Sequence, residues 1–241
     1  MKTTPRGVLA ALLVLAVAAT CVRLGFWQLD RLEQRRARNA AIRAAQALPL
    51  LEMDSAAAAA VASDPGAHLN RRVRVRGVYD PAREVVLRGR AREGRPGVHL
   101  VTPLRIAGGT AVVLVNRGWI PSPDATTVER GRFAAGGVRE VVGILQEVPR
   151  TGNRGQPSAR GGGDTTYRRL DLEVARARSP LPVLPLYVQQ LPDSTAPAAG
   201  PPHPVPPPAL DEGPHLGYAI QWFSFAAIAV IGFGVMVLRR R

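Results

Sequence analysis

The sequence predicts a membrane protein whose two terminal transmembrane helices flank an α+β outer domain built on an antiparallel sheet or small barrel. One long apolar run near each end of the chain predicts the two helices. Between them, short alternating stretches separated by turn residues predict the sheet. The predicted segments are a cytoplasmic N-terminus (1–7), a first transmembrane helix (8–27), an amphipathic basic helix (28–48), the outer domain (49–191), a proline-rich linker (192–214), a second transmembrane helix (215–238) and a cytoplasmic tail (239–241).

The second apolar run, His215–Leu238, carries no charged side chain after its histidine. At about 1.5 Å per residue it gives roughly 34 Å of helix, which is enough to cross a hydrocarbon core. Three arginines follow at once and favour a cytoplasmic C-terminus. His215, Tyr218 and Trp222 are spaced by three and four residues, so they share one helix face near the opposite membrane surface.

The first apolar run begins at Val8 and is preceded by two basic residues, a pattern that also fits a cleaved signal peptide. The run resumes after Arg23 and reaches Trp27, which gives about 20 residues in all. Arg23 can extend to the interface, and Phe26 with Trp27 would supply an aromatic belt. We therefore favour a retained anchor.

Charge introduces one conflict with the usual topology, because five arginines (Arg31, Arg35, Arg36, Arg38 and Arg43) closely follow the first span. Long translocated domains obey the positive-inside rule weakly, so we expect both termini inside and the middle of the chain outside. Residues 28–47 contain no glycine or proline and predict a helix lying over anionic lipid head groups. A solvated stalk is the alternative.

The net charge of +14 suggests either nucleic acid or anionic lipid as a partner. The aromatic content of only 5% and the absence of any nucleic-acid-binding motif argue against nucleic acid. Anionic lipids are the expected partner, with an arginine-rich composition on solvated faces as an equal alternative. The single cysteine, Cys21, excludes an intramolecular disulfide and a CxxC redox or copper motif.

The middle of the chain is predicted to form short strands, a few short helices and turns. Arg72, Arg74 and Arg76 alternate with valines and predict one basic and one apolar strand face. Pro182 and Pro185 suggest that the last strand lies at a sheet edge. Residues 151–166 read as a mobile loop. The other predicted elements are helices at 54–62 and 170–178 and strands at 84–87, 98–106, 111–115, 138–148 and 183–191.

Four stretches together resemble the Surfeit locus protein one family, whose members are assembly factors for haem–copper cytochrome c oxidase. The specific ones are Asn116-Arg117-Gly118-Trp119-Ile120-Pro121 and the HxxYAxxWF pattern that begins at His215. Gly213-Pro214 stand where the family usually has asparagines. The other two stretches are Gly25-Phe26-Trp27-Gln28-Leu29, and Gly77-Val78-Tyr79 followed by Leu87-Arg88-Gly89-Arg90.

The resemblance implies a multi-pass protein of the bacterial inner membrane with a large outer domain. It also implies a role in supplying or inserting haem a during the maturation of oxidase subunit I. The partners expected on this basis are subunit I and the haem a synthase.

His215 is the first candidate site residue, because a neutral imidazole at the membrane surface can ligate haem iron. Tyr218 and Trp222 would then pack on the porphyrin; the alternative is a helix-capping histidine with ordinary interfacial aromatics. Gln28 and Trp27 would face the same site if the spans pack together, although polar groups there also join helices. The remaining candidate is Arg117, which would either pair with a haem propionate or pin the turn after the central strand.

Two other functions remain open from the sequence. A scaffold that binds only protein would need the same two anchors and no haem. A membrane-tethered enzyme is disfavoured because no GxSxG, HExxH or Cys–His nucleophile pattern is present, so no catalytic residue is assigned. His68, His99 and His203 are dispersed without ligand spacing, and we expect them not to bind metal.

Overall fold

A computed structural model describes residues 5–150, 166–192 and 200–239. The loop expected at 151–166, apart from Thr166, lies outside these residues, as do residues 193–199 of the proline-rich linker and Arg240 and Arg241. The chain forms two compact units, a helical unit (1–42 with 209–241) and a barrel unit (43–208). In chain order the elements are α1 (Pro5–Ala47), β1 (Leu51–Met53), α2 (Ser55–Ser63), α3 (Pro65–His68), β2 (Arg72–Tyr79), β3 (Val85–Arg92), β4 (Arg95–Ile106), β5 (Val112–Pro121), β6 (Val138–Glu147), β7 (Thr166–Tyr167), α4 (Leu172–Arg178), β8 (Val183–Gln190) and α5 (His215–Arg239).

The helical unit consists of α1 and α5, both long and apolar enough by length and composition to cross a membrane. α1 continues without a break through residues 28–47, since nothing in that stretch interrupts helical hydrogen bonding. The two helices run antiparallel. Ala18 and Cys21 pack near Ala226, and farther along α1 Gly25 lies so close to Phe223 that a Cβ there would meet its ring at 2.6 Å.

The barrel unit is built on one eight-stranded sheet in the order β1-β2-β6-β8-β5-β4-β3-β7. A further pairing of β2 with β4 closes five of these strands into a small barrel, which confirms that part of the predicted fold class. The closure brings Gly77 opposite Ile106, where any Cβ on Gly77 would collide with the Arg105 carbonyl. Glycine is therefore required for this close approach.

Strand β5 is buried on both faces, which explains why it is so apolar. Val113 and Val115 belong to one core cluster, together with Val61 of α2. The alternating residues Val112 and Leu114 belong to a second cluster, which is covered by α4. A strand between two cores needs apolar residues at successive positions rather than at alternating ones.

The last strand is not at an edge, so that prediction was wrong. β8 lies between β6 and β5 and runs parallel to β5, which also makes the sheet mixed rather than purely antiparallel. The register between β5 and β8 shifts where Pro185 falls, so an irregularity accommodates its missing N–H. Both proline carbonyls are used, because Pro182 accepts from the Val112 amide and Pro185 accepts from the Val148 amide.

Candidate functional site

His215, at the start of α5, is hydrogen-bonded to Gln28 of α1, with 2.9 Å between Nδ1 and Oε1. An amide oxygen can only accept, so the ring nitrogen Nδ1 carries the proton. In the neutral ring, the other nitrogen, Nε2, presents a lone pair, which is the form in which histidine ligates metals. Both side chains are half-buried, so the pair remains partly accessible to solvent.

Gly213 keeps the Nε2 side of the ring open. Its φ of +69° is a left-handed conformation that favours glycine, and its amide donates to Asp211 Oδ1 at 3.1 Å. A Cβ at this position would lie 3.4–3.5 Å from Cδ2 and Nε2 of His215. The Pro214 carbonyl accepts from the Tyr218 amide and forms the first turn of α5. Gly213-Pro214 thus provide both the cap of the helix and free space beside the imidazole.

Polar side chains of α1 hold the segment immediately before His215. Asn39, only 3% exposed, donates from Nδ2 to the Asp211 carbonyl at 2.7 Å, and Arg35 Nε donates to the same oxygen at 3.1 Å. Arg36 binds Glu212 through two hydrogen bonds of 2.8 and 2.9 Å. The hydrogen bond to Glu212 and its charge raise the pKa of the Arg36 guanidinium. We call these five residues the clasp.

The other predicted site residues of the helical unit differ in how exposed they are. Trp27 and Tyr218 are about half exposed, at 48% and 47%, and the Arg31 guanidinium lies 5.4 Å from the Trp27 ring. Trp222 is half-buried against the cluster of small residues between the helices. The structure therefore places Gln28 against His215 and leaves the rings of Trp27 and Tyr218 exposed to solvent. Trp222 packs between the helices.

Arg117 belongs to the barrel unit, where its Nη1 lies 3.1 Å from Glu84 Oε1. Glu84 is 1% exposed and accepts a further bond of 2.7 Å from the Thr102 hydroxyl. Burial raises the pKa of Glu84, although Thr102 and Arg117 oppose this effect. Arg117 also lies 5.2 Å from the ring of Tyr79, and burial raises the pKa of Tyr79 to about 12. These contacts engage Arg117 in a structural ion pair.

Within the described residues, no group of three or more histidine, cysteine or acidic side chains is arranged to hold a metal ion. A haem of the kind that the resemblance implies would need no such group, because the macrocycle supplies four of the iron ligands. His203 pairs through its backbone with Trp119 and stacks on the Trp119 ring at 6.1 Å.

Our sequence analysis missed the clasp. A signal for it was available, since the acidic pair Asp211-Glu212 directly precedes the second span while the basic run directly follows the first. That order predicts that the acidic pair and the basic run meet when the two helices form an antiparallel hairpin. By contrast, the polar residues next to Asn39 in the sequence do not predict that its side chain is buried.

Comparison with known proteins adds an independent finding. A sequence model of the SURF1 family matches residues 15–227. An uncharacterized SURF1-like protein of Mycobacterium tuberculosis is 29% identical over 228 residues, which cover 93% of this chain and 80% of the relative. A SURF1-like protein of Monosiga brevicollis is 30% identical over 234 residues, covering 90% and 83%. One from Rickettsia felis is 25% identical over 233 residues, covering 95% and 96%.

Proposed function

We propose, since this chain belongs to the SURF1 family, that it is an assembly factor for haem–copper cytochrome c oxidase that carries haem a on His215. Membership confirms the resemblance that the four sequence stretches indicated. The family is associated with oxidase assembly, and its proteins are assembly factors rather than known enzymes. The finer proposal is that this chain holds haem a and aids its insertion into subunit I, after receiving it from the haem a synthase.

The hydrogen bond between His215 and Gln28 carries the proposal. If haem a binds here, His215 would hold its iron through Nε2. Gln28 fixes the ring and the tautomer from the other side, as an outer-shell partner of a metal-bound histidine commonly does. Gly213 leaves room next to Nε2, and the exposed rings of Trp27 and Tyr218 offer apolar surface to a flat macrocycle.

We further propose that the protein is a multi-pass protein of the bacterial inner membrane. α1 and α5 would both span the bilayer, with the termini in the cytoplasm and the barrel unit outside. His215 and Gln28 would then lie at the outer surface. Anionic lipids remain proposed partners of the basic part of α1, although Arg35 and Arg36 are engaged with Asp211 and Glu212.

A protein-only scaffold is the second candidate, and the same hydrogen bond supports it. Polar side chains often link neighbouring membrane helices without binding any ligand. The pair of Gln28 with His215 would then simply hold α5 against α1. The two functions differ in whether the purified protein retains haem.

The deciding experiment is an optical spectrum of the full chain purified from cells that also make haem a. We expect a haem a spectrum for the unmodified chain and a shifted or lost one for His215→Ala. His68→Ala is the matched control, because it removes a histidine of the barrel unit. Absence of haem from the unmodified chain would favour the scaffold, and equal haem in His215→Ala would move the ligand elsewhere.

A further inference from the structure

A row of polar side chains crosses four neighbouring strands on the α4-covered face of the sheet. Gln189 of β8 pairs in register with Asn116 of β5, and His99 of β4 pairs with Leu87 of β3. Together with Arg90 of β3 they line a cavity of about 300 Å³. We call it the barrel cavity; its other lining residues include Tyr187, Arg169, Leu87, Val101 and Leu170.

A β-bulge turns Arg90 into this cavity. Leu87 and Arg90 are three positions apart, so a regular strand would place them on opposite faces. The register between β3 and β4 shifts between these two residues. Gly89 takes a φ of +68° there, and its amide donates to the Ala125 carbonyl at 2.8 Å. Bulges commonly redirect a side chain next to a functional site.

The amide groups of the row set the hydrogen-bonding role of His99. Asn116 Nδ2 donates to Gln189 Oε1 at 2.9 Å and lies 3.4 Å from His99 Nδ1. An amide nitrogen cannot accept, so Nδ1 is the acceptor and Nε2 carries the proton. Burial and the charge of Arg90 lower the pKa of His99 to about 4. At neutral pH this imidazole therefore provides an uncharged N–H donor.

The charge at the cavity is predominantly positive. Arg90 Nη2 donates to the Arg168 carbonyl at 2.9 Å, but its buried Nε has no hydrogen-bond partner among the described residues. Burial and the neighbouring Arg169 lower the pKa of Arg90. Glu147 also lines the cavity, but its side chain is exposed to solvent. Among the described lining residues, two guanidinium groups thus face one solvated carboxylate.

We propose that the barrel cavity binds a small molecule that carries an oxyanion, either a carboxylate or a phosphate monoester. Arg90 and Arg169 pair with the oxyanion, while His99 Nε2–H and the Tyr187 hydroxyl donate to it. Leu87, Val101 and Leu170 enclose an apolar body. A volume of about 300 Å³ is at the lower end for small-molecule sites, so the ligand is about as large as a substituted benzene ring.

The test uses three probes that differ only in their polar group: phenyl phosphate, benzoate and the neutral benzamide. Each is titrated calorimetrically into the full chain in detergent at fixed ionic strength, so that the net charge of +14 is screened to the same extent throughout. We expect one or both anions to bind and benzamide not to bind. Whichever anion binds more tightly identifies the ligand as a phosphate or a carboxylate.

Arg90→Gln should weaken anion binding by about tenfold or more, since it removes a charged hydrogen-bonding partner. Tyr187→Phe, which removes one hydroxyl and no charge, should weaken binding several-fold. Arg88→Gln is the matched control, because it removes a guanidinium from the same strand outside the cavity lining. Near-ultraviolet circular dichroism verifies that each variant is folded.

If Arg90→Gln does not fold, Tyr187→Phe and the histidine ring resonances of the unmodified chain decide. The His99 resonance should move on titration with the anion, while those of His68 and His203 should stay. The proposal is overturned if neither anion binds the unmodified chain, or if benzamide binds as tightly as the anion that binds more tightly. Equal weakening by Arg88→Gln and Arg90→Gln also overturns it, because binding would then follow net charge alone.

Discussion

Gln28 determines which nitrogen of His215 is available, because its amide oxygen can only accept a hydrogen bond, here from Nδ1–H. A hydrophobic residue at this position would fill similar space without holding the ring. The imidazole would then be free to rotate and to change tautomer. Under the proposed function, the orientation of Nε2 would therefore be set by a residue that does not itself touch haem.

We expect Gln28→Leu to lower the affinity for haem a by roughly tenfold to a hundredfold, the usual loss when an outer-shell partner is removed. His215 would still be present, so some haem should remain, with an altered spectrum. Haem titration of the purified chain, followed optically, measures the change. Gln34→Leu is the control, since Gln34 lies on the same helix and accepts from Arg31. Equal affinities for both variants would contradict the role of Gln28.

The buried pair of Glu84 and Arg117 predicts a pH dependence of stability. Glu84 has a raised pKa in the folded barrel, so above its ordinary value of 4.5 the folded state binds more protons than the unfolded state. The free energy of unfolding therefore falls as the pH rises through this window. Arg117 lowers the pKa of Glu84 and so opposes this effect. Arg117→Met should therefore extend the affected pH range upward and lower the free energy of unfolding by about 3 kcal/mol or more near neutrality.

Thermal unfolding of the full chain between pH 4 and pH 8 measures this dependence. The double variant Glu84→Gln with Arg117→Met removes both charges and should recover much of the lost stability. A parallel loss at every pH for Arg117→Met would mean that packing, rather than the charge of Glu84, causes the destabilisation.

At the scale of elements, sequence patterns located the pieces well where the signal is local. Helix α2 was expected at 54–62 and spans Ser55–Ser63, because Asp54 caps it and alanines continue it. Contacts between residues far apart in the sequence were harder to predict. Pro182 and Pro185 suggested an edge strand, yet β8 is central, since one irregularity is enough to accommodate a proline. The pairing of Glu84 with Arg117 across 33 positions likewise has no local signature.

The clasp gives a prediction about the start of α5. Exposed ion pairs contribute little, so loss of Arg36 should have a small effect. Asn39 is buried, and Asn39→Leu would leave the Asp211 carbonyl without its shortest hydrogen bond. We expect Asn39→Leu to speed amide hydrogen exchange in the segment 211–218 by about fivefold or more, corresponding to about 1 kcal/mol.

Exchange followed by mass spectrometry of the full chain measures this effect. Arg38→Gln is the control, because Arg38 is exposed on the same stretch of α1. Unchanged exchange in Asn39→Leu would show that α5 holds its first turn without help from α1.

At the scale of the whole molecule, the packing of α1 against α5 bears on topology. Contacts advance along α1 from Ala18 to Gln28 while they retreat along α5 from Ala226 to His215. Antiparallel helices that both span a bilayer place the two chain ends on one side. The arginines after the first span conflict with the positive-inside rule, but a long translocated domain obeys that rule weakly.

We expect fusions at both termini to report a cytoplasmic location and a fusion near Gly162 to report an external one. A phosphatase active only outside and a fluorescent protein that folds only inside make complementary reporters. The mass of the purified chain adds a second readout. Ala16-Val17-Ala18 resembles a signal-peptide cleavage site, and cleavage there would remove Ala18 from its contact near Ala226. A cleaved chain would lose most of the helix pairing and still keep Gln28. A full-length mass together with an external N-terminus would instead exclude a hairpin of two membrane-spanning helices. The antiparallel contacts between α1 and α5 would then have no role in the membrane.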